Sequence, residues 1–174
     1  HSVGRAADGS AEWSIFTNST PGDSNENETA YLDYVPTPYF DLDAGFYSDD
    51  LDLTIECDAY DVTIYYTLDG AAPTNNSILY ASIDAAGNII YAEDEYVSIS
   101  ETTVIRAIAY TSNPSLLTSF IETNTYFVGV THTVPVVSVC GSQVFNLVAN
   151  GNQGGWGGSQ NKIGSFELFE QNGL

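Results

Sequence analysis

Positive charge is almost absent from this sequence. Only 3 of its 174 residues are Lys or Arg, against 23 Asp and Glu, so the formal net charge is −20. The cations Arg5, Arg106 and Lys162 are scattered along the sequence, whereas nucleic-acid binding draws most of its affinity from clustered Lys and Arg. Binding to nucleic acid or to an anionic membrane surface is therefore excluded.

Long apolar runs, methionine and a leader segment are also lacking. No apolar stretch approaches the roughly 18–20 residues that span a bilayer, so membrane insertion is not expected. The sequence begins at His1 and contains no Met, which favours a processed end or a boundary within a longer protein over a translation start, with removal of a signal peptide as one explanation. Three glycosylation-type triplets, beginning at Asn18, Asn27 and Asn75, and 12 Tyr favour an extracellular or cell-surface location.

Cysteine is scarce, since Cys57 and Cys140 are the only two. A disulfide that closes so long a loop would contribute roughly 4 kcal/mol by restricting the unfolded chain. The alternative is that Cys57 faces the core as a small apolar side chain. Both alternatives predict burial, because the alternating pattern places Cys57 on the same face as Leu53 and Ile55. The sequence leaves the choice open.

What the sequence does contain is a series of short strand patterns. From 51 to 57 and from 62 to 68, apolar and polar residues alternate with period two and are rich in β-branched and aromatic types. A turn is predicted at 68–70, where Gly70 can take a positive φ. Further strands are predicted at 88–91, 96–99, 103–110, 119–128 and 165–169, and residues 136–140 form another apolar run. The pattern predicts an all-β fold, an immunoglobulin- or fibronectin-like antiparallel sandwich with extra terminal strands.

Ordered motifs in the central part carry a family resemblance. They are Tyr65-Tyr66-Thr67-Leu68-Asp69-Gly70, Pro73-Thr74, Tyr80, Thr102 to Ala109, and Thr125-Tyr126. Over about residues 36–129 this order resembles the fibronectin type III-like module known as the chitobiase or β-hexosaminidase C-terminal domain. The stretch from Ala81 to Tyr96 is longer than the usual connection, which predicts an extra hairpin. The resemblance implies an accessory module that brings no catalytic residues with it.

The two ends resemble pieces of other families. Motifs within residues 2–22, among them Ser2-Val3-Gly4-Arg5 and Thr20-Pro21-Gly22, resemble the final strand of a bacterial lamin-tail domain. Residues 134–139 and 165–173 are similar to the start of a spore-coat protein H-type, kinase-like domain, whose nucleotide and metal residues have no counterpart here. The predicted domains are therefore a terminal strand with an acidic linker at 1–35, the sandwich at 36–129, and an incomplete segment with a Gly-rich loop at 130–174.

Candidate catalytic and metal-binding residues are few. Asp41 and Asp43 form a partial calcium loop that lacks the third acidic ligand and the closing Glu, so a plain acidic turn is favoured over a calcium site. The only histidines are His1 and the lone His132, whereas nucleophilic catalysis needs a base beside the nucleophile. The sequence predicts no enzyme and no cofactor, with calcium as the one alternative.

Apolar residues in the terminal segments predict interfaces. They are Trp13, Ile15, Phe16, Trp156, Phe166 and Phe169. These segments are too short to form cores alone, so the side chains are expected to pack against other copies of the chain or against flanking domains.

The resulting hypothesis is a non-enzymatic structural subunit of a secreted bacterial surface assembly or filament. Strand exchange or packing of the terminal segments would hold it together, because a strand without a partner can pair with the sheet edge of a neighbour. The alternative is a carbohydrate-binding accessory module with glycans as partners, or a fragment of a larger surface protein with a kinase-like domain.

Overall fold

Short β-strands make up the protein, and the structure, a computed structural model, describes residues 1–141 and 164–170. No helix occurs in those ranges, so the predicted all-β class is confirmed. The strands are β1 Ser2–Arg5, β2 Trp13–Phe16, β3 Asp33–Tyr34, β4 Tyr39–Phe40, β5 Gly45–Tyr47, β6 Leu51–Leu53, β7 Ile55–Glu56, β8 Val62–Thr67, β9 Ile78–Ile83, β10 Ile89–Tyr91, β11 Val97–Ile99, β12 Thr103–Thr111, β13 Leu116–Leu117, β14 Glu122–Val128, β15 Val136–Cys140 and β16 Ser165–Phe169.

A six-stranded sheet in the order β10-β9-β8-β12-β14-β5 is the main layer. Its pairs are antiparallel, except that β5 runs parallel to β14. The pairs β4-β7 and β6-β11 supply buried side chains to the same core cluster and so form the opposing layer of a sandwich. Leu53 from this layer and Ile64 and Ile105 from the six-stranded sheet are almost completely buried in that core.

Two buried tyrosines carry hydroxyl groups into the core and find partners there. Tyr126 donates to the carbonyl of Leu42 at 2.6 Å and accepts from the Asn124 amide at 3.1 Å. Tyr80 donates to the carbonyl of Glu95 at 2.5 Å. Because each phenol has a partner, the rings fill the core without leaving a buried polar atom unpaired.

The observed strands differ from the predicted ones in informative ways. The strand predicted at 165–169 occurs with those bounds, the apolar run at 136–140 is also a strand, and the extra hairpin is confirmed as β9-β10. The strand predicted at 51–57 is interrupted at Thr54, whose N–H donates to the Asp41 carboxylate at 2.7 Å. As a result β6 pairs with β11 while β7 pairs with β4. The strand β9 itself was not predicted.

The N-terminal segment is more ordered than one strand followed by a linker. Strands β1 and β2 form an antiparallel hairpin, and Ile15 exchanges two backbone hydrogen bonds with Tyr31 at 2.8 and 2.9 Å. Strand β3 pairs in parallel with β13, and Val35 is buried. Residues 31–35, assigned to the linker from sequence, are therefore joined to the sandwich. None of the described residues forms a helix long and apolar enough to cross a membrane.

Candidate functional site

The C-terminal hairpin, β15-β16, exposes an apolar face. Strict alternation in both strands places Val137 opposite Leu168 and Val139 opposite Phe166 on its outer side. These four side chains are between 48% and 67% exposed. Adjacent exposed apolar side chains on one face are typical of an interaction surface, whereas scattered ones need no explanation. We call this face, made of Val137, Val139, Phe166 and Leu168, the outer hairpin face.

The opposite side of the hairpin is docked on β14 by a carboxylate. Glu167 accepts the backbone N–H of Thr125 at 3.1 Å and its hydroxyl at 2.5 Å, and Ser138 shares that hydroxyl at 2.6 Å. Hydrogen bonds to a charged acceptor are stronger than neutral ones. The hairpin is therefore held in a fixed orientation on the sandwich, and so is its outer face.

An aromatic cluster completes this docking. Phe169 meets Phe127 edge to face at a centroid distance of 5.1 Å and Phe46 at 6.0 Å. Phe46 and Phe127 stack on each other at 4.6 Å, and the ring of His132 packs edge-on against both. His132 thus contributes to aromatic packing. Of the predicted interface residues in this segment, Phe169 is buried within the chain and Phe166 is exposed.

The predicted N-terminal interface residues divide in the same way. Phe16 is 1% exposed and belongs to the chain's own interior, and Ile15 is half-buried beside Tyr31. Trp13 is 59% exposed, with the Arg5 guanidinium 4.9 Å from its ring centre. Trp156 lies outside the described residues.

Both cysteines are free thiols in the structure, so the disulfide alternative is not the one formed. The half-buried Cys57 donates to the carbonyl of Pro36 at 3.4 Å. It packs against the core as a small apolar side chain, which was the alternative to a disulfide. Cys140 is buried against the turn at Gly70, where an added Cβ would lie 3.0 Å from that of Cys140. Burial raises the pKa of the Cys57 thiol to about 11 and raises that of Cys140. Each thiol therefore has a separate packing role.

The acidic turn uses its oxygens within the backbone. One Asp41 oxygen accepts the N–H of Thr54, and the carbonyl of Asp43 accepts the hydroxyl of Tyr47 at 2.7 Å. Across residues 1–141 and 164–170, no three His, Cys, Asp or Glu side chains are placed to hold a metal ion. The structure thus gives Asp41 a backbone-pairing role that the sequence did not indicate.

Millimolar calcium is therefore expected to leave the urea midpoint of unfolding unchanged once ionic strength is matched. An ion bound only by the folded state would instead raise the midpoint with its concentration by mass action. Magnesium at the same ionic strength is the control. A saturable rise with calcium that magnesium fails to reproduce would establish a site near Asp41 and Asp43.

The three glycosylation candidates lie on the surface. The amide of Asn18 donates to Glu28 at 3.1 Å, whereas Asn27 and Asn75 are exposed without such a bond. Modification at these positions stays a prediction. Asn75 also lines a groove on the six-stranded sheet.

That groove, about 450 Å³ in volume, lies on the solvent side of the sheet. The ladder registers place Ile90, Ser82, Thr63 and Tyr110 in one row across β10, β9, β8 and β12. Tyr65 lies two residues from Thr63 on the same face, and its ring meets Tyr110 edge to face at 5.7 Å. We call this feature the tyrosine groove.

The tyrosine groove was not predicted as a site. The alternation at 62–68 does place Tyr65 on the polar face, which is the one signal available in the sequence. Its neighbour Tyr110 belongs to a strand more than 40 residues further along, so their contact depends on the register of β8 and β12. The surfaces predicted from sequence lay at the termini instead.

The described residues thus form an immunoglobulin-like β-sandwich that presents two surfaces, the outer hairpin face and the tyrosine groove. Residues 42–118 match the family model of the chitobiase/β-hexosaminidase C-terminal domain, so the family resemblance predicted for the central part is confirmed. In chitobiase this domain is accessory and non-catalytic. No curated protein and no solved structure matches the chain. The resemblances of the two ends to lamin-tail and spore-coat families stay predictions.

Proposed function

We propose that the protein is a non-enzymatic structural subunit of a secreted surface assembly, and that copies join through the outer hairpin face. The observation that carries this proposal is the row of four exposed apolar side chains on β15 and β16. Removing such a surface from water favours association in proportion to its apolar area.

The arrangement supports face-to-face packing in preference to strand exchange. The sequence suggested terminal strands without partners, but β1 pairs with β2 and β15 pairs with β16 inside one chain. Exchange would have to break these ladders before forming equivalent ones, whereas packing of an already exposed face breaks nothing. The docking of Glu167 on Thr125 supports the same conclusion, because it presents the face in one orientation.

The net negative charge makes association between copies depend on salt concentration. With a formal net charge of −20, two copies repel each other over about one Debye length, which is roughly 8–10 Å at physiological salt. Apolar contact at short range has to overcome this repulsion, and added salt weakens the repulsion without weakening the contact. We therefore expect association to strengthen with salt. The proposed setting is extracellular, without a cofactor, nucleic acid or membrane insertion.

The test is the mass of the intact chain and of a variant in sedimentation equilibrium. The double variant Phe166→Ser/Leu168→Ser makes the outer hairpin face polar and is expected to remain monomeric at concentrations where the intact chain associates. Leu32→Ser is the matched control, because Leu32 is exposed but is bonded to Ser115 before β13 and does not belong to the hairpin. This control is expected to associate like the intact chain.

Two results would contradict the proposal. One is an intact chain that stays monomeric at high concentration in both 0.15 M and 0.5 M NaCl. The other is a double variant that associates as strongly as the intact chain. Backbone hydrogen exchange of Thr125 in β14 shows whether the double variant keeps its hairpin docked, because this N–H donates to Glu167. Slow exchange in a monomeric double variant would mean that association is lost while the hairpin stays docked.

A further inference from the structure

We propose that the tyrosine groove binds a neutral oligosaccharide. This site is independent of the outer hairpin face, since it lies on β8, β9, β10 and β12 and shares no residue with β15 or β16. The proposal rests on the groove's aromatic surface, on its hydroxyl groups and on its charge.

The aromatic surface is a platform formed by two rings. Tyr65 and Tyr110 meet at an interplanar angle of 88° and a centroid distance of 5.7 Å. The rings already touch, so no cavity remains between them that would enclose a cation. Their accessible faces carry the negative part of the aromatic quadrupole, which attracts the weakly positive C–H bonds on the apolar face of a pyranose ring. Both side chains are partly exposed, which leaves part of each for a ligand.

Hydroxyl groups border this platform. Thr63 and Ser82 lie opposite each other on β8 and β9 with their hydroxyl oxygens 3.4 Å apart. A hydroxyl donates once and accepts twice, so this single long contact leaves both groups capacity for a ligand. The Asn75 amide adds donors and an acceptor at the groove. Such an amphipathic surface complements a sugar, which has an apolar ring face and a rim of hydroxyls.

The dimensions favour a chain of several sugar units over a single one. The row from Ile90 to Tyr110 crosses four neighbouring strands, which at about 4.8 Å per strand spacing covers about 14 Å. The groove is open along this row and is not closed around one small molecule.

Charge selects the class of sugar. None of the described residues that line the groove is Lys, Arg or His, whereas Asp61 and Asp84 both line it. Asp84 keeps its negative charge, because hydrogen bonds from Asn88 lower its pKa, and these bonds occupy both of its oxygens. A uronic acid or a phosphorylated sugar would meet this negative field without a counter-charge. A neutral oligosaccharide meets no such penalty.

The experiment is isothermal titration of the intact chain with neutral hexasaccharides: cellohexaose, xylohexaose, maltohexaose and chitohexaose. Protein from a host without N-glycosylation leaves Asn75 unmodified, so that an attached glycan cannot fill the groove. At least one probe is expected to bind, with an affinity that 0.5 M NaCl leaves unchanged. Tyr65→Ala and Tyr110→Ala are each expected to weaken binding at least about tenfold.

Controls separate loss of the platform from loss of the fold. Tyr65→Phe keeps the ring and is expected to bind within about threefold of the intact chain. Tyr60→Ala removes an exposed tyrosine outside the groove and is expected to bind normally. Thr63→Val keeps the shape of the side chain and removes one hydroxyl, so weaker binding by this variant supports the polar part of the site.

The outcomes that overturn the site differ from those that overturn assembly. Absence of binding by all four probes, or normal binding by Tyr65→Ala and Tyr110→Ala, overturns the site. Tighter binding of an anionic oligomer such as polygalacturonate overturns the charge argument. The double variant Phe166→Ser/Leu168→Ser leaves every groove residue unchanged, so sugar binding is expected to survive in it whatever its state of association.

Discussion

Replacing Gly70 with valine is expected to lower the free energy of unfolding by about 3–5 kcal/mol, because backbone strain and crowding add at this position. Gly70 has a φ of +72°, a conformation that side chains with a Cβ rarely adopt. A Cβ there would lie 3.0 Å from the Cβ of Cys140 and 3.5 Å from a methyl group of Val104. Urea unfolding measures the change.

Gly129→Val is the matched control for strain alone. Gly129 has a φ of +65°, but an added Cβ would meet nothing within 4 Å. This control is expected to lose only about 1–3 kcal/mol. A double-mutant cycle between Gly70→Ala and Cys140→Gly isolates the contact between the turn and β15. Two results together would mean that the turn and the hairpin are not packed against each other. One is an equal loss of unfolding free energy in Gly70→Val and Gly129→Val, and the other is that the effects of Gly70→Ala and Cys140→Gly simply add in the double variant.

Alkaline pH is expected to unfold the protein between about pH 10 and pH 12. Burial raises the pKa values of Tyr47, Tyr66, Tyr80 and Tyr126, and a hydrogen bond to Glu56 raises that of Tyr39 to about 12. A tyrosine in the unfolded chain ionises near pH 10. The unfolded state therefore releases protons first, so the stability contributed by these groups is complete below pH 10 and is lost as the pH rises through the folded-state values.

Tyr126→Phe tests the largest single contribution to this alkaline loss. Tyr126 is fully buried. Over the pH range in which Tyr126 ionises only in the unfolded state, the free energy of unfolding falls by up to about 1.4 kcal/mol per pH unit. At pH 7 the variant is expected to lose about 1–3 kcal/mol, because the carbonyl of Leu42 and the amide of Asn124 lose the Tyr126 hydroxyl and keep only their 3.4 Å bond to each other. Between pH 7 and pH 11 it is expected to lose less than the intact chain.

Urea unfolding at both pH values, with phenolate absorbance recorded in parallel, measures these quantities. Tyr60→Phe, at an exposed position, is the control and is expected to follow the intact chain at both pH values. An identical drop in stability for Tyr126→Phe and the intact chain would show that Tyr126 does not resist ionisation in the folded state.

Local patterns in the sequence were sufficient for much of the fold. The period-two alternation predicted β8, the positive φ of Gly70 followed from its turn, and the extra length after Ala81 predicted the hairpin β9-β10. Each of these features depends on residues close together in the chain, so one sequence carries the information.

Features that depend on distant pairing were not predictable in the same way. The interruption at Thr54 requires the carboxylate of Asp41, and the pairing of β15 with β16 joins strands on either side of the long Gly-rich segment. The contact of Tyr65 with Tyr110 depends on ladder register, and a shift by one residue would move each side chain to the other face. The tyrosine groove therefore became visible only in the folded chain.

The parallel pairing of β5 with β14 would have a mechanical consequence in the proposed surface assembly. β5 is the first strand of the six-stranded sheet along the chain and β14 is the last, and they run side by side in the same direction, with Gly129 N–H bonded to the carbonyl of Tyr47 at 2.9 Å. Tension applied to the chain before β5 and after β14 pulls the two strands lengthwise past each other. Their hydrogen bonds are then loaded in shear, all at once, whereas an antiparallel hairpin pulled at its open end unzips one bond at a time. The parallel pair therefore resists tension applied between the residue before β5 and the residue after β14.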